Sequence, residues 1–133
     1  MEARYLQVPI LSDRFGFIGV VEGGENLPFA PKRFYFIGGV PEDASRGSHA
    51  HRELQQVILA LSGSVVIELD DGDTVREFVL DGPHTALYVP PGYWRTLRSF
   101  APNTVIGVLA SKEYDEADYF RAYQDFLKWK RNG

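Results

Sequence analysis

Val57-Ile58-Leu59-Ala60-Leu61, Val65-Val66-Ile67-Glu68-Leu69 and Val75-Arg76-Glu77-Phe78-Val79-Leu80 follow one another with only short breaks, and this stretch decides the fold. The first five residues are a continuous apolar run, the pattern of a strand covered on both faces. The second and third runs flank Asp70-Asp71-Gly72-Asp73, whose Asp71-Gly72 pair predicts a type I′ hairpin turn with positive φ at both central positions. Outward from this core, further strands are expected at 17–22, 33–37, 86–89 and 104–110. They are separated by Gly23-Gly24, Gly38-Gly39, Gly82-Pro83 and Pro90-Pro91-Gly92. Short strands with turns at this spacing predict an all-β sandwich or barrel, closed to protect its edges. Only the end reads as helix, over about residues 116–130. Asp115 would cap it, Asp118 would sit in its first turn, and Tyr119, Phe120, Tyr123, Phe126 and Leu127 would form its apolar stripe. Lys128, Lys130 and Arg131 would complement the C-terminal dipole.

The chain has 133 residues, 44% of them hydrophobic and 24% charged, which is the composition of one folded domain rather than a disordered chain. No repeat, linker or low-complexity segment divides it, so a single domain over 1–133 is expected. No stretch approaches the roughly 18 apolar residues of a membrane span, and Met1-Glu2-Ala3-Arg4 does not open a signal peptide, so a cytoplasmic protein is expected. Without cysteine there is no disulfide framework, thiol nucleophile or thiolate metal site. A net charge of −4 offers nothing in bulk to a nucleic acid or an acidic membrane, so an anionic ligand would need a local cationic site.

The densest polar cluster is Ser45-Arg46-Gly47-Ser48-His49-Ala50-His51-Arg52. In extended chain, residues two apart share a face, so His49 and His51 would project together, into a barrel mouth or out to solvent as a loop pair. Gln56 and Gly63 follow at the spacing of the first cupin motif, and Pro90-Pro91-Gly92-Tyr93-Trp94-Arg95 resembles the second. The usual cupin metal site adds a Glu and a third His to the HxH pair. Here those positions carry Gln56 and Arg95, a poor ligand and a non-ligand, so no metal or other cofactor is expected. His84 follows Gly82-Pro83 and reads as a surface residue. Two same-facing imidazoles without a metal are suited to moving protons near neutral pH. Tyr35 would either add a phenolic donor to the same cavity or pack as a core aromatic. Arg46 would either clamp a phosphate bidentately or stay solvated in its loop.

Arg46-Gly47-Ser48-His49-Ala50-His51-Arg52-Glu53-Leu54-Gln55-Gln56-Val57 resembles the R-G-x-H-A-H-x-x-L-x-Q signature of bacterial dTDP-sugar 3,4-ketoisomerases. The likeness continues in order through Asn26-Leu27-Pro28-Phe29, Lys32-Arg33-Phe34-Tyr35, Leu69-Asp70-Asp71-Gly72, Leu87-Tyr88-Val89, Val108-Leu109-Ala110-Ser111 and 114–121. The resemblance implies a cupin jelly-roll barrel with a C-terminal helix, and a homodimer whose N-terminal strands are exchanged. It implies conversion of dTDP-4-keto-6-deoxyglucose to a 3-keto isomer, which an aminotransferase uses to make 3-amino-3,6-dideoxy sugars. His49 would take the proton from the sugar's C3, His51 would shuttle a proton between the 3-hydroxyl and the 4-keto oxygen, and Tyr35 would be the acid at C4. Arg33, Arg46, Gln56, Arg95 and Phe15 would contact substrate. Members giving the galacto product carry an Arg and a His where this chain has Phe15 and Arg95, so the gluco product, dTDP-3-keto-6-deoxyglucose, is expected. Three other readings compete. A dTDP-sugar epimerase would pair its basic His with a carboxylate, and none lies within the HxH segment. A metal-dependent oxygenase is opposed by Gln56 and Arg95. A non-catalytic sugar-nucleotide-binding domain has no need of two histidines and Tyr35.

Overall fold

The computed structural model describes all residues, 1–133. Its strands are β1 (Arg4–Gln7), β2 (Ile10–Asp13), β3 (Gly16–Gly19), β4 (Arg33–Gly38), β5 (Arg46–His51), β6 (Gln56–Ser62), β7 (Val65–Asp70), β8 (Val75–Leu80), β9 (Thr85–Val89), β10 (Trp94–Arg98), β11 (Val105–Ala110) and β12 (Tyr119–Phe120). One helix, α1 (Tyr123–Asn132), follows. Two five-stranded antiparallel sheets, ordered β1-β9-β6-β11-β4 and β12-β5-β10-β7-β8, carry the fold, and β2 and β3 pair only with each other. This is the all-β cupin architecture with a C-terminal helix. No helix is long and apolar enough to cross a membrane.

The apolar run at the start of β6 is covered on both faces, as its composition requires. Ile58 and Ala60 point into the main core with Ile67, Leu69, Phe78, Leu80, Leu87 and Ile106. Val57 and Leu59 point the other way and are covered by Val8, Leu27 and Tyr88. Leu61, at the end of the run, is exposed. The turn from β6 to β7 is tight enough to require glycine. Gly63 has φ +76°, and a Cβ there would lie 2.1 Å from Thr104 Oγ1.

Four local expectations differ from the structure. The β7–β8 hairpin forms, but of its turn residues only Gly72 has positive φ. The loop runs from Asp71 to Thr74, and the Asp71 carboxylate accepts from the amides of Asp73 and Thr74 in place of the type I′ geometry. The strand expected at 17–22 is β3, shifted to 16–19 and detached from both large sheets. Strands β1, β2, β5, β10 and β12 were not among the expected ones, the β5 segment reading as either extended chain or loop. The helix starts at Tyr123 rather than near residue 116. Asp115 caps only a 3₁₀ turn at Glu116–Asp118, accepting from the Ala117 amide, and the chain then extends as β12 to pair with β5 before α1 begins.

Candidate active site

Between the two sheets lies a cavity of about 400 Å³. Its floor is apolar, from Ile58, Leu97 and Val108, and its walls are polar because inward-facing positions near one end of the strands carry hydrogen-bonding side chains. β4 contributes Arg33 and Tyr35 on one face, β5 contributes His49, β6 contributes Gln56, and β10 contributes Arg95.

The strand that holds the histidines is irregular for a reason. β10 pairs with β5 through Arg95↔His49 and Thr96↔Gly47, leaving Ser48 as an extra residue, a bulge. Gly47 (φ +94°) and Ser48 (φ 55°) both take positive φ there, and a Cβ on Gly47 would meet the Arg95 carbonyl at 3.0 Å. Beyond the bulge, Ala50 faces out against Phe120 and Phe126, and His49 and His51 face in. Their rings meet edge to face, centroids 4.9 Å apart. Only His49 reaches the cavity wall, while His51 is fully buried one layer deeper, beneath Tyr119. The Tyr119 ring lies 4.3 Å from His51 and 5.1 Å from His49.

His51 has a partner that sequence reasoning placed in a helix. Asp118 Oδ2 lies 3.1 Å from His51 Nδ1, and the same carboxylate accepts from the backbone amides of Glu53 at 2.8 Å and Leu54 at 3.2 Å. A carboxylate holding two backbone N–H donors fixes the His51 tautomer with its proton on Nδ1, leaving Nε2 as a lone-pair acceptor. That Nε2 is buried and has no partner within the protein. The absence of a carboxylate in the HxH segment therefore does not separate this site from an epimerase, since the carboxylate arrives from 67 residues away. His49 is brought down to about 4 by burial and then by the Arg95 cation. His51 is brought down to about 2 by burial first, then by the Arg95 cation and by His49. Both rings are neutral at pH 7.

Arg95 is buried yet charged, its pKa lowered by burial only to about 10. Its Nη1 donates to Gln56 Oε1 and its Nη2 to the Tyr93 carbonyl at 3.2 Å. Gln56 Nε2 in turn donates to the Tyr35 hydroxyl at 2.9 Å, linking the two sheets through Tyr35, Gln56 and Arg95. Burial raises the Tyr35 phenol above its ordinary pKa against the lowering effect of Arg95, so it keeps its proton. These residues do not fit a cupin metal. No group of three or more His, Asp or Glu converges anywhere in the chain, and the fourth cupin position holds a cation bonded to the oxygen of the third.

Arg33, Arg46, Arg95 and Arg121 all line the cavity, and no Asp or Glu does. Arg121 and Tyr119 were not anticipated. Arg121 is held by Glu116 through Nε at 3.0 Å and Nη2 at 2.8 Å, and it stacks 4.1 Å over Tyr119. Two expected site residues do not line the cavity: His51, buried directly behind His49, and Phe15, which is far from it. Phe15 sits 84% exposed in the turn between β2 and β3, because that hairpin does not join either large sheet. His84 lies on the surface beside Asp81.

Residues 1–131 match the family described as FdtA: WxcM-like, C-terminal. A TDP-4-oxo-6-deoxy-alpha-D-glucose-3,4-oxoisomerase from Aneurinibacillus thermoaerophilus is 40% identical over 129 residues, spanning 97% of this chain and 93% of that protein. The 3,4-ketoisomerase QdtA from Thermoanaerobacterium thermosaccharolyticum, solved as a His-to-Asn mutant in complex with TDP-4-keto-6-deoxyglucose, superposes with a TM-score of 0.95. It is 35% identical, over 98% of this chain and 94% of that one. A 3,4-ketoisomerase from Helicobacter canadensis gives a TM-score of 0.95 at 34% identity, over 98% of each chain.

Proposed function

Because this chain belongs to the FdtA (WxcM-like, C-terminal) family and is a TDP-sugar 3,4-ketoisomerase, we propose that it converts TDP-4-keto-6-deoxyglucose to TDP-3-keto-6-deoxyglucose by proton transfer among its own side chains. The observation that carries this reading is a neutral His49 on the cavity wall, backed by the His51–Asp118 pair and faced by a protonated Tyr35.

His49 takes the proton from C3, and the electron pair left behind forms a C3–C4 double bond. His51, buried behind His49 and beneath Tyr119, receives the 3-hydroxyl proton at its free Nε2 and passes it to the 4-oxygen, which requires the Tyr119 ring to move aside as the sugar enters. The electron pair then returns to C4, which takes a proton from Tyr35, so C3–H and O3–H are exchanged for C4–H and O4–H. Arg33, whose guanidinium lies 5.2 Å from the Tyr35 ring centroid, and Arg95 stabilise the negative charge that develops on the enediolate and the phenolate. His49 and Tyr35 then regain their starting protonation through solvent. No step needs a metal. Arg46 and Arg121 hold the diphosphate, which gives the chain of charge −4 its local cationic site.

Phe15 with Arg95 favours the gluco product. Arg95 is fixed by Gln56 and Tyr93 and holds one sugar pose, and Phe15 reaches a site only if the N-terminal hairpin is exchanged within a homodimer. The test is incubation with TDP-4-keto-6-deoxyglucose followed by NMR of the product. A 3-keto product with a large coupling at the new H4 supports the reading. A small coupling gives the galacto epimer instead, and inversion at C3 with the 4-ketone retained makes the chain an epimerase.

A further inference from the structure

Gln56 is fully enclosed at the start of β6, between Tyr35 on β4 and Arg95 on β10. The direction of its two side-chain bonds is dictated by chemistry. A guanidinium has five N–H donors and no acceptor, so the amide oxygen must face Arg95 and the amide NH₂ must face Tyr35. Arg95 cannot turn aside, because Nη2 holds the Tyr93 carbonyl and its backbone pairs with His49 on one side and Leu69 on the other. The Tyr35 oxygen is thereby made an acceptor toward Gln56. Its own O–H cannot lie along the same line and turns toward the cavity that Tyr35 lines.

We propose that Gln56, expected from sequence to contact substrate, is instead a positioning residue that fixes Tyr35 as a proton donor facing the substrate. The inference rests on the reading of Tyr35 as the acid at C4. Under Gln56→Glu the side chain keeps its length but can only accept. Paired with Arg95, its carboxylate draws the phenolic proton to itself and away from the sugar.

The test is a double-mutant cycle of Gln56→Glu and Tyr35→Phe, measuring turnover of TDP-4-keto-6-deoxyglucose and the Kd for TDP. Gln56→Glu is expected to lower kcat about 100-fold, the scale of one general acid. Its Kd for TDP should stay within about threefold, since only a transition-state interaction is lost. The double variant should be no slower than Tyr35→Phe alone, because both changes remove the same proton. Wild-type kcat in Gln56→Glu alongside an impaired Tyr35→Phe, or losses that multiply in the double variant, overturns the role of Gln56 and leaves Tyr35 as the acid. An undiminished Tyr35→Phe overturns both. Gln56→Met, of similar length and uncharged, carries the same cycle should the buried carboxylate prevent folding.

Discussion

Asp118 accepts from His51 and from two backbone amides, so its carboxylate both orders the turn after β5 and sets which His51 nitrogen carries the proton. Under Asp118→Asn the amide can donate to Nδ1 and place the proton on Nε2. Turnover should then fall about 100-fold or more while TDP binding persists, as kinetics and calorimetry on the variant would show. The lost charge-assisted bonds should also lower stability by about 1–3 kcal/mol. The histidines carry a separate consequence for acid stability. His49 has its folded pKa near 4 against 6.5 when unfolded, so below pH 6.5 the unfolded chain binds the extra proton and stability declines as pH falls toward 4. His49→Gln removes that penalty. Its urea midpoint relative to the parent should be constant above about pH 6.5 and rise toward pH 4, by as much as about 3 kcal/mol in stability. A difference that does not change with pH would mean that His49 titrates normally. At this scale strand periodicity accounts for His49 and His51 sharing a face and for Tyr35 facing the cavity, whereas Arg95 was singled out by its place after the Pro-x-Gly turn and not by any strand pattern. Asp118 was hidden because D-E-A-D is also a helix-start signal, and only the fold brings it across 67 residues to His51.

The segment 115–122 shows how an element can be misread. Tyr119 and Phe120 fit a helical stripe with Tyr123 and Phe126, yet they alternate as a strand, Tyr119 inward over the histidines and Phe120 outward onto Ala50. β10 escaped notice for a related reason. Its inward positions are Arg95 and Leu97, and the cation required by the site broke the apolar alternation that marks a strand. The helix matters because it holds β5 and β12 together from outside. Phe126 is fully buried, with ring centroids 6.0 Å from Trp94 and 6.1 Å from Phe120. Phe126→Ala should cost about 3–5 kcal/mol in chemical denaturation. Turnover should fall with it if the β5–β12 pairing loosens over His51.

Across the whole molecule, the strands beneath the main core were legible because their apolar periodicity is enforced by burial on known faces. The N-terminal hairpin was not, since Leu11, Phe15, Phe17 and Ile18 are all exposed and bury nothing within the chain. An isolated two-stranded hairpin is marginal in water. Strand β4 is likewise an open sheet edge, and it turns Phe34 and Phe36 outward at 54% and 70% exposure. We expect these surfaces to meet in an exchanged homodimer. Sedimentation should give a dimer for the parent, and Phe34→Lys should shift it toward monomer with unchanged far-UV circular dichroism; a monomeric parent would refute the exchange. The arginine-lined cavity has a consequence for how the enzyme meets its substrate. A molecule of net charge −4 that gathers four arginines around one opening acts as a funnel, and capture of a doubly charged diphosphate should slow steeply as added salt shortens the reach of that field. In dilute buffer such a funnel would favour nucleotide sugars over neutral sugars before any pocket contact is made.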